Sequence, residues 1–223
     1  MLLVAVDIGN TNVVIGFLDD GHIAGTYRIT TKSNHTSDEY GLMITQFLQL
    51  SGYTPGDVDD VIISSVVPKV MHSFRASIVK FLNIDPMIIG PGVKTGINIR
   101  MDNPQNMGAD CIADCAGAYY EYGGPILVAD FGTATTFNYV TADASVICGL
   151  ITTGIRTGAT ALWEATAQLP EVEITRPHQF WRKAPNQPCR PACTTTSSEA
   201  SNVQSHNSIA KSTKNSAWLR RVV

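Results

Sequence analysis

Two short segments carry residues whose types and spacing suit phosphate chemistry. They are Asp7-Ile8-Gly9-Asn10-Thr11-Asn12 and Asp130-Phe131-Gly132-Thr133-Ala134-Thr135-Thr136. In each, an apolar run delivers an Asp, turns through Gly and hydroxyl or amide residues, and returns as a second apolar run. Gly lets backbone approach phosphate oxygens, successive N–H groups form an anion-binding concavity, and Asn10, Thr11 and Asn12 add donors. Asp7 would hold Mg²⁺, directly or through water, against the phosphates of a nucleotide. A single Asp-x-Gly is equally well an ordinary β-turn. Two of them, one before each half of the chain, can grip a nucleotide from both sides of a cleft, and the repeat favours the phosphate reading. A third acid, Asp110, follows Gly108-Ala109 just ahead of a helical run beginning at Ile112. It reads as a helix cap, or as a general base accepting a proton from an attacking hydroxyl.

The elements that must position these residues are legible from periodicity. Residues 2–6 form an apolar strand, 13–18 a second that closes on Asp19-Asp20-Gly21 as a hairpin turn, and 23–30 a third. Residues 37–51 have Leu42, Ile44, Phe47, Leu48 and Leu50 at helical spacing, and Gly52 ends the helix. Residues 61–67 are β-branched and unbroken, as in a buried parallel strand. A helix over 71–82 and a strand over 87–89 complete an order β-β-β-α-β-α-β. The opening then recurs, with strands expected at 126–129, 137–140 and 146–151 and a helix at 157–169. The chain is thus expected to hold a domain over residues 1–115 and a second over 116–177, the two together a duplicated α/β fold.

Composition narrows the classes further. Of 223 residues 44% are hydrophobic and 16% charged, an ordinary globular balance. No run approaches the ~18 apolar residues of a membrane span. The opening residues lack the basic start of a secretion signal, and five cysteines form no disulfide framework, so a cytoplasmic, reducing setting is expected. Cys111-x-x-x-Cys115 and Cys189-x-x-x-Cys193 have zinc-compatible spacing but read as free thiols. The net charge of −3 conceals a polarity: residues 178–223 hold seven Lys/Arg and only Glu199. That segment is rich in Ser, Thr, Asn, Gln and Pro and reads as a disordered tail.

The four segments Asp7 to Asn12, Gly108-Ala109-Asp110, Asp130 to Thr136 and Gly154-Ile155 through Leu169-Pro170 together resemble, in order, the type III pantothenate kinases, over about residues 1–177. The resemblance implies duplicated ribonuclease H-like (actin-like ATPase) domains, the second truncated. It implies ATP with Mg²⁺ as donor, a monovalent cation (K⁺ or NH₄⁺), pantothenate as acceptor, a homodimer, and no nucleic-acid or membrane partner. Asp7, Ile8, Gly9, Asn10, Thr11, Asn12, Val13 and Val14 would bind the ATP phosphates with Mg²⁺, joined by Gly132 and Thr133. Asp130 would hold the monovalent cation and Asp110 would be the base. Met101, Gly108, Ala109, Asp110 and Cys111 would lie on the pantothenate side. Three positions depart from the family pattern: Cys111 stands where it has Arg, Met101 where it usually has Tyr, and Thr153 where it has Pro before Gly154. An Arg pairs with a carboxylate substrate as a planar cation; a thiol does not. Read one frame over, suitably chosen synonymous codons for Pro188 to Thr195 can spell Met-Gln-Ala-Gly-Leu-Tyr, similar to the family's next helix, which points to a single frameshift near residues 176–178. An impaired or regulatory relative on the same scaffold, and an acetate or sugar kinase, are the alternative functions.

Overall fold

The computed structural model describes residues 1–90, 93–169, 171 and 174, and the backbone of 209–211. Strand β1 (Leu2–Ile8) has neighbours on both edges and is covered on both faces, which is why its sequence is apolar without alternation. It pairs antiparallel with β2 (Asn12–Asp19) and parallel with β4 (Val58–Ser65). With β3 (His22–Thr30) and the short β5 (Met87–Ile88), these strands form a sheet of order β3-β2-β1-β4-β5. The β2–β3 turn is the expected two-residue hairpin, with Asp20 (φ 45°) and Gly21 (φ 78°) both left-handed.

On one face Val4, Val6 and Ile8 pack with Tyr40, Ile44 and Leu48 of α1 (Ser37–Leu50) and Phe74 and Ile78 of α2 (Pro68–Leu82). A capping box starts α1: the Thr36 N–H donates to Glu39 Oε2 (2.7 Å) and the Glu39 N–H to Thr36 Oγ1 (3.3 Å). Pro68 opens α2 and left-handed Asn83 (φ 57°) ends it. Gly41 is what lets the two helices approach, since a Cβ there would run into the Phe81 ring.

The opposite face, through Leu3, Ala5 and Ile62, packs on Ala113 of α3 (Ala109–Tyr122), with Ala109 and Ile112 alongside. Cys115 and Ala118 of the same helix pack on Ile126, Val128, Val140 and Val146 of the second sheet. The expected domain boundary at residue 115 therefore falls inside a helix that supports both sheets.

The second sheet has the order β10-β7-β8-β9-β6, from β6 (Asn98–Ile99), β7 (Ile126–Phe131), β8 (Ala134–Val140), β9 (Ser145–Thr153) and β10 (Ile209–Lys211). Sequence reading did not anticipate β6, which is too short to show periodicity and pairs parallel with β9. Both sheets share one pattern: the first strand of the half pairs antiparallel with the second, the second with the third, and a parallel strand lies on the first strand's other edge. In the second sheet that place is taken by β10, so residues 209–211 of the expected tail are a strand. The frame-shifted stretch at 188–195 lies outside the described residues. Helix α4 (Ile155–Glu164) is shorter than expected, ending at Ala165. Beyond Val146, β9 is exposed: Leu150 and Ile151, on opposite faces of the strand, are 62% and 73% accessible.

Candidate active site: a carboxylate cleft between two loops

Both Asp-x-Gly aspartates sit in strands, not in the turns. Asp7 is held between Val14 of β2 and Ser64 of β4, and Asp130 opposite Thr136 of β8. Their backbones are thus fixed by sheet pairing, and the turns begin after them. The turns close alike: the Gly9 N–H donates to Asn12 O and the Gly132 N–H to Ala134 O, both at 3.0 Å. Thr31 secures the first loop, its Oγ1 donating to Gly9 O (2.7 Å) and its N–H to Thr11 O (3.0 Å). The start of α4 secures the second. The Gly154 N–H and Thr157 Oγ1 both donate to Thr133 O, at 3.1 and 2.9 Å. A Cβ on Gly154 would strike the carbonyls of Gly132 and Thr133, so this contact requires glycine. The loops then meet: Thr11 Oγ1 and Thr133 Oγ1 are 2.8 Å apart, a hydrogen bond between the two halves of the chain. Within this arrangement Val13 is buried in the core and Val14 is buried beside Asp7, so of the first loop's residues Asn10, Thr11 and the Gly9 backbone offer polar groups at the surface.

Asp110 is not the helix cap. Gly108 is the N-cap residue of α3 and Asp110 lies in the first turn, its Oδ1 accepting from the Cys111 N–H at 2.7 Å. A side chain on Gly108 would collide with that carboxylate, which explains the glycine. One turn further along the same face, Asp114 adds a fourth acid, and sequence reading missed it. The i, i+4 spacing of Asp110 and Asp114 was the available signal.

Electrostatics show that these four carboxyls share one space. Burial, then the charges of Asp110 and Asp130, push Asp7 up to about 6, against a smaller lowering by the Ser64 hydroxyl. Burial and Asp110 raise Asp130, with the Phe131 N–H opposing. Burial, then Asp130, Asp7 and Asp110, raise Asp114 well above the usual carboxylate range. None of the ion pairs among the described residues involves any of the four. Ser64 is completely buried next to Asp7, and its hydroxyl acts on that carboxyl.

The substrate-side residues lie on the second sheet's flank. Cys111 is half-buried, with Sγ 3.8 Å from Thr136 Oγ1, and burial followed by the Asp110 charge pushes its thiol up to about 11. It is a neutral thiol at neutral pH. Met101 packs with the second-sheet core and against Gly149, next to Asn138, whose side chain also acts on Cys111. Cys115 is a core residue, its thiol raised further by burial. Among the described residues no three His, Cys, Asp or Glu side chains are close enough to chelate a metal directly.

In fold and site the chain is a mixed α/β protein with two sheets joined by one helix and an acidic cleft where their first strands end. Residues 3–193 match the profile of the family described as Type III pantothenate kinase. Over 184 residues the chain is 89% identical to the type III pantothenate kinase of Bifidobacterium adolescentis, covering 82% of this chain and 72% of that one. It is 74% identical over 176 residues to the Bifidobacterium longum enzyme of the same name (79% and 69% covered), and 47% over 182 to that of Agathobacter rectalis (82% and 70%). The chain belongs to the type III pantothenate kinase family.

Proposed function

We propose that this chain transfers the γ-phosphoryl group of ATP to the hydroxyl of pantothenate, giving 4'-phosphopantothenate, the first step of coenzyme A synthesis. The observation that carries the reading is the Thr11–Thr133 contact, which brings both phosphate-type loops to one cleft beside Asp7, Asp110 and Asp130. The shared strand pattern of the two sheets supports duplicated ribonuclease H-like, actin-like domains; that the second is incomplete and followed by a tail with an altered reading frame rests on the sequence resemblance alone. The exposed β9 edge is compatible with a homodimer, and a cytoplasmic setting follows from the reaction; no helix among the described residues is long and apolar enough to cross a membrane.

The donor set fits the expected cations. It is all oxygen and acidic, and among the described residues no Lys or Arg pairs with it, which suits Mg²⁺ arriving with the nucleotide at Asp7 and K⁺ or NH₄⁺ at Asp130. When bound, the cations neutralise charge on the transferring phosphoryl group. The chain's own residues do the rest. Backbone of residues 7–14 and 132–133 orients the phosphates, and Asp110 accepts the hydroxyl proton as that oxygen bonds to phosphorus and the bond to the leaving ADP oxygen breaks. The Cys111 N–H, donating to Asp110 Oδ1, fixes the carboxylate's orientation. Most of the acceleration is positioning and charge neutralisation.

Cys111 favours a second reading, a catalytically impaired relative, because a neutral thiol at the family's Arg position leaves the pantothenate carboxylate without its cation. ADP release measured with pantothenate, acetate and glucose in K⁺ buffer separates the readings. Turnover with pantothenate alone supports the proposal, and an increase on Cys111→Arg places the impairment at that residue. Turnover with neither form removes the kinase assignment.

A further inference from the structure

We propose that Thr31 is a positioning residue of the nucleotide site, its hydroxyl holding the first Asp-x-Gly loop with N–H groups toward the phosphates and carbonyls away from them. The inference rests on the phosphoryl-transfer reading, since it names a residue that shapes a loop that reading uses.

An anion cradle needs open N–H groups and carbonyls that are occupied elsewhere, because a carbonyl oxygen turned toward phosphate repels it. The first loop meets both conditions. Ile8 O accepts from the Val66 N–H (3.1 Å) and Asn12 O from the Gly9 N–H (3.0 Å). Thr31 takes up two more carbonyls, its Oγ1 donating to Gly9 O (2.7 Å) and its N–H to Thr11 O (3.0 Å). The N–H groups of Asn10 and Thr11 donate to no other backbone group among the described residues, and both residues are exposed. A single residue outside the loop thus turns two of its carbonyls aside and leaves its donors open.

The second half of the chain repeats the device with different residues. Thr31 directly follows β3, the third strand of its half, and Gly154 directly follows β9, the third strand of the other. The Gly154 N–H donates to Thr133 O (3.1 Å), as the Thr31 N–H does to Thr11 O, and in this half too a hydroxyl, from Thr157, joins it (2.9 Å). The carbonyls held by these N–H groups belong to the two threonines whose hydroxyls meet across the cleft, Thr11 and Thr133. Thr31 is itself anchored from the other side. The carbonyl of the next residue, Lys32, accepts from the Tyr40 hydroxyl (3.0 Å), and Tyr40 is buried in the first core. The brace therefore runs from packed core to loop, so the loop follows Thr31 and not the reverse. Removing the hydroxyl frees the Gly9 carbonyl to turn, while the backbone bond to Thr11 stays.

The test is binding of the non-hydrolysable ATP analogue AMP-PNP, with Mg²⁺, to the full chain by isothermal titration calorimetry. Wild type, Thr31→Val and Thr31→Ser are compared, with thermal unfolding as the check on folding. Thr45→Val is the control: Thr45 Oγ1 donates to Gly41 O (2.9 Å) within α1, the same kind of bond away from the cleft. The expected result is a Kd raised about fivefold by Thr31→Val, held within about twofold of wild type by Thr31→Ser, and unchanged by Thr45→Val even where its melting midpoint falls. Thr31→Ala gives the same comparison if the Val form does not unfold cooperatively. Wild-type affinity in Thr31→Val, or a loss in Thr45→Val as large as in Thr31→Val, overturns the proposal and leaves the kinase reading standing. Absence of AMP-PNP binding by wild type at millimolar concentration overturns both.

Discussion

Replacing Asp7 by Asn should make the cation-free protein more stable at neutral pH, and the size of the gain follows from the cleft. The carboxyl's ordinary value is 3.8 and its surroundings raise it to about 6, a difference worth about 3 kcal/mol at 1.36 kcal/mol per pH unit. A carboxyl raised in this way binds, in the folded state, a proton that the unfolded chain has already released. Stability therefore falls as pH rises from about 3.8 through about 6, and the whole deficit stands above that window. Asp7→Asn abolishes this contribution, and it also relieves Asp114, on which the Asp7 charge acts in the same sense. At 2–4 °C per kcal/mol for a protein of this size, the variant should melt roughly 6–12 °C above wild type at pH 7.5 in chelator. The gap should close below pH 4. The assay is differential scanning fluorimetry from pH 4 to 8, with and without Mg²⁺, on both proteins. Mg²⁺ should raise the midpoint of wild type more than that of Asp7→Asn, since on the proposed function it binds the folded acidic site. A midpoint difference independent of pH, or a variant less stable than wild type at pH 7.5 in chelator, would refute the reasoning.

Two glycines provide further checks. Gly154→Ala pushes a methyl into the carbonyls of Gly132 and Thr133, so it should displace the second loop, raise the KM for ATP more than that for pantothenate, and cost about 1–3 kcal/mol in thermal stability. Steady-state kinetics with each substrate varied in turn decides it, and unchanged ATP kinetics would sink the assignment of that loop. Gly41→Ala would gain up to ~1 kcal/mol of helix propensity if α1 were free, but the Phe81 ring occupies the space. A net loss of about 1–3 kcal/mol in urea unfolding, with the KM for ATP unchanged, is the expected outcome.

What the sequence disclosed and what it withheld divide along physical lines. The three-strand openings of both halves, the Asp20-Gly21 turn and helices α1 to α4 were readable because burial on one or both faces imposes a hydrophobic period. Boundaries drifted where the pattern was masked: Asp7 and Asp130 looked like turn residues because charge interrupts an apolar run, whereas backbone pairing carries the strand through them. Asp110 looked like a cap because Asp is a common one, yet Gly108 takes that position so that the carboxylate can fold back over the helix start. Strand β6 was invisible at two residues. Asp114 was present as a spacing but has meaning only once α3 is known to face both sheets. Ser64 could not have been found, because residues 61–67 read as a buried parallel strand but nothing local sets the register that puts Ser64 abreast of Asp7.

The double duty of α3 explains how charge so unfavourable to folding is tolerated. Ala113 holds the helix to the first sheet, while Cys115 and Ala118 hold it to the second, so apolar packing on two sides fixes the helix that carries Asp110 and Asp114. The repulsion among the carboxyls acts across the joint between the sheets, and the Thr11–Thr133 hydrogen bond ties the two loops there. The packing of one helix and the contact between the loops bear this repulsion. A cation held there, as proposed above, would offset the repulsion. On the proposed function, the charge that weakens the fold is the charge that would hold the cation, and substitutions neutralising it should yield a more stable protein that no longer responds to the metal.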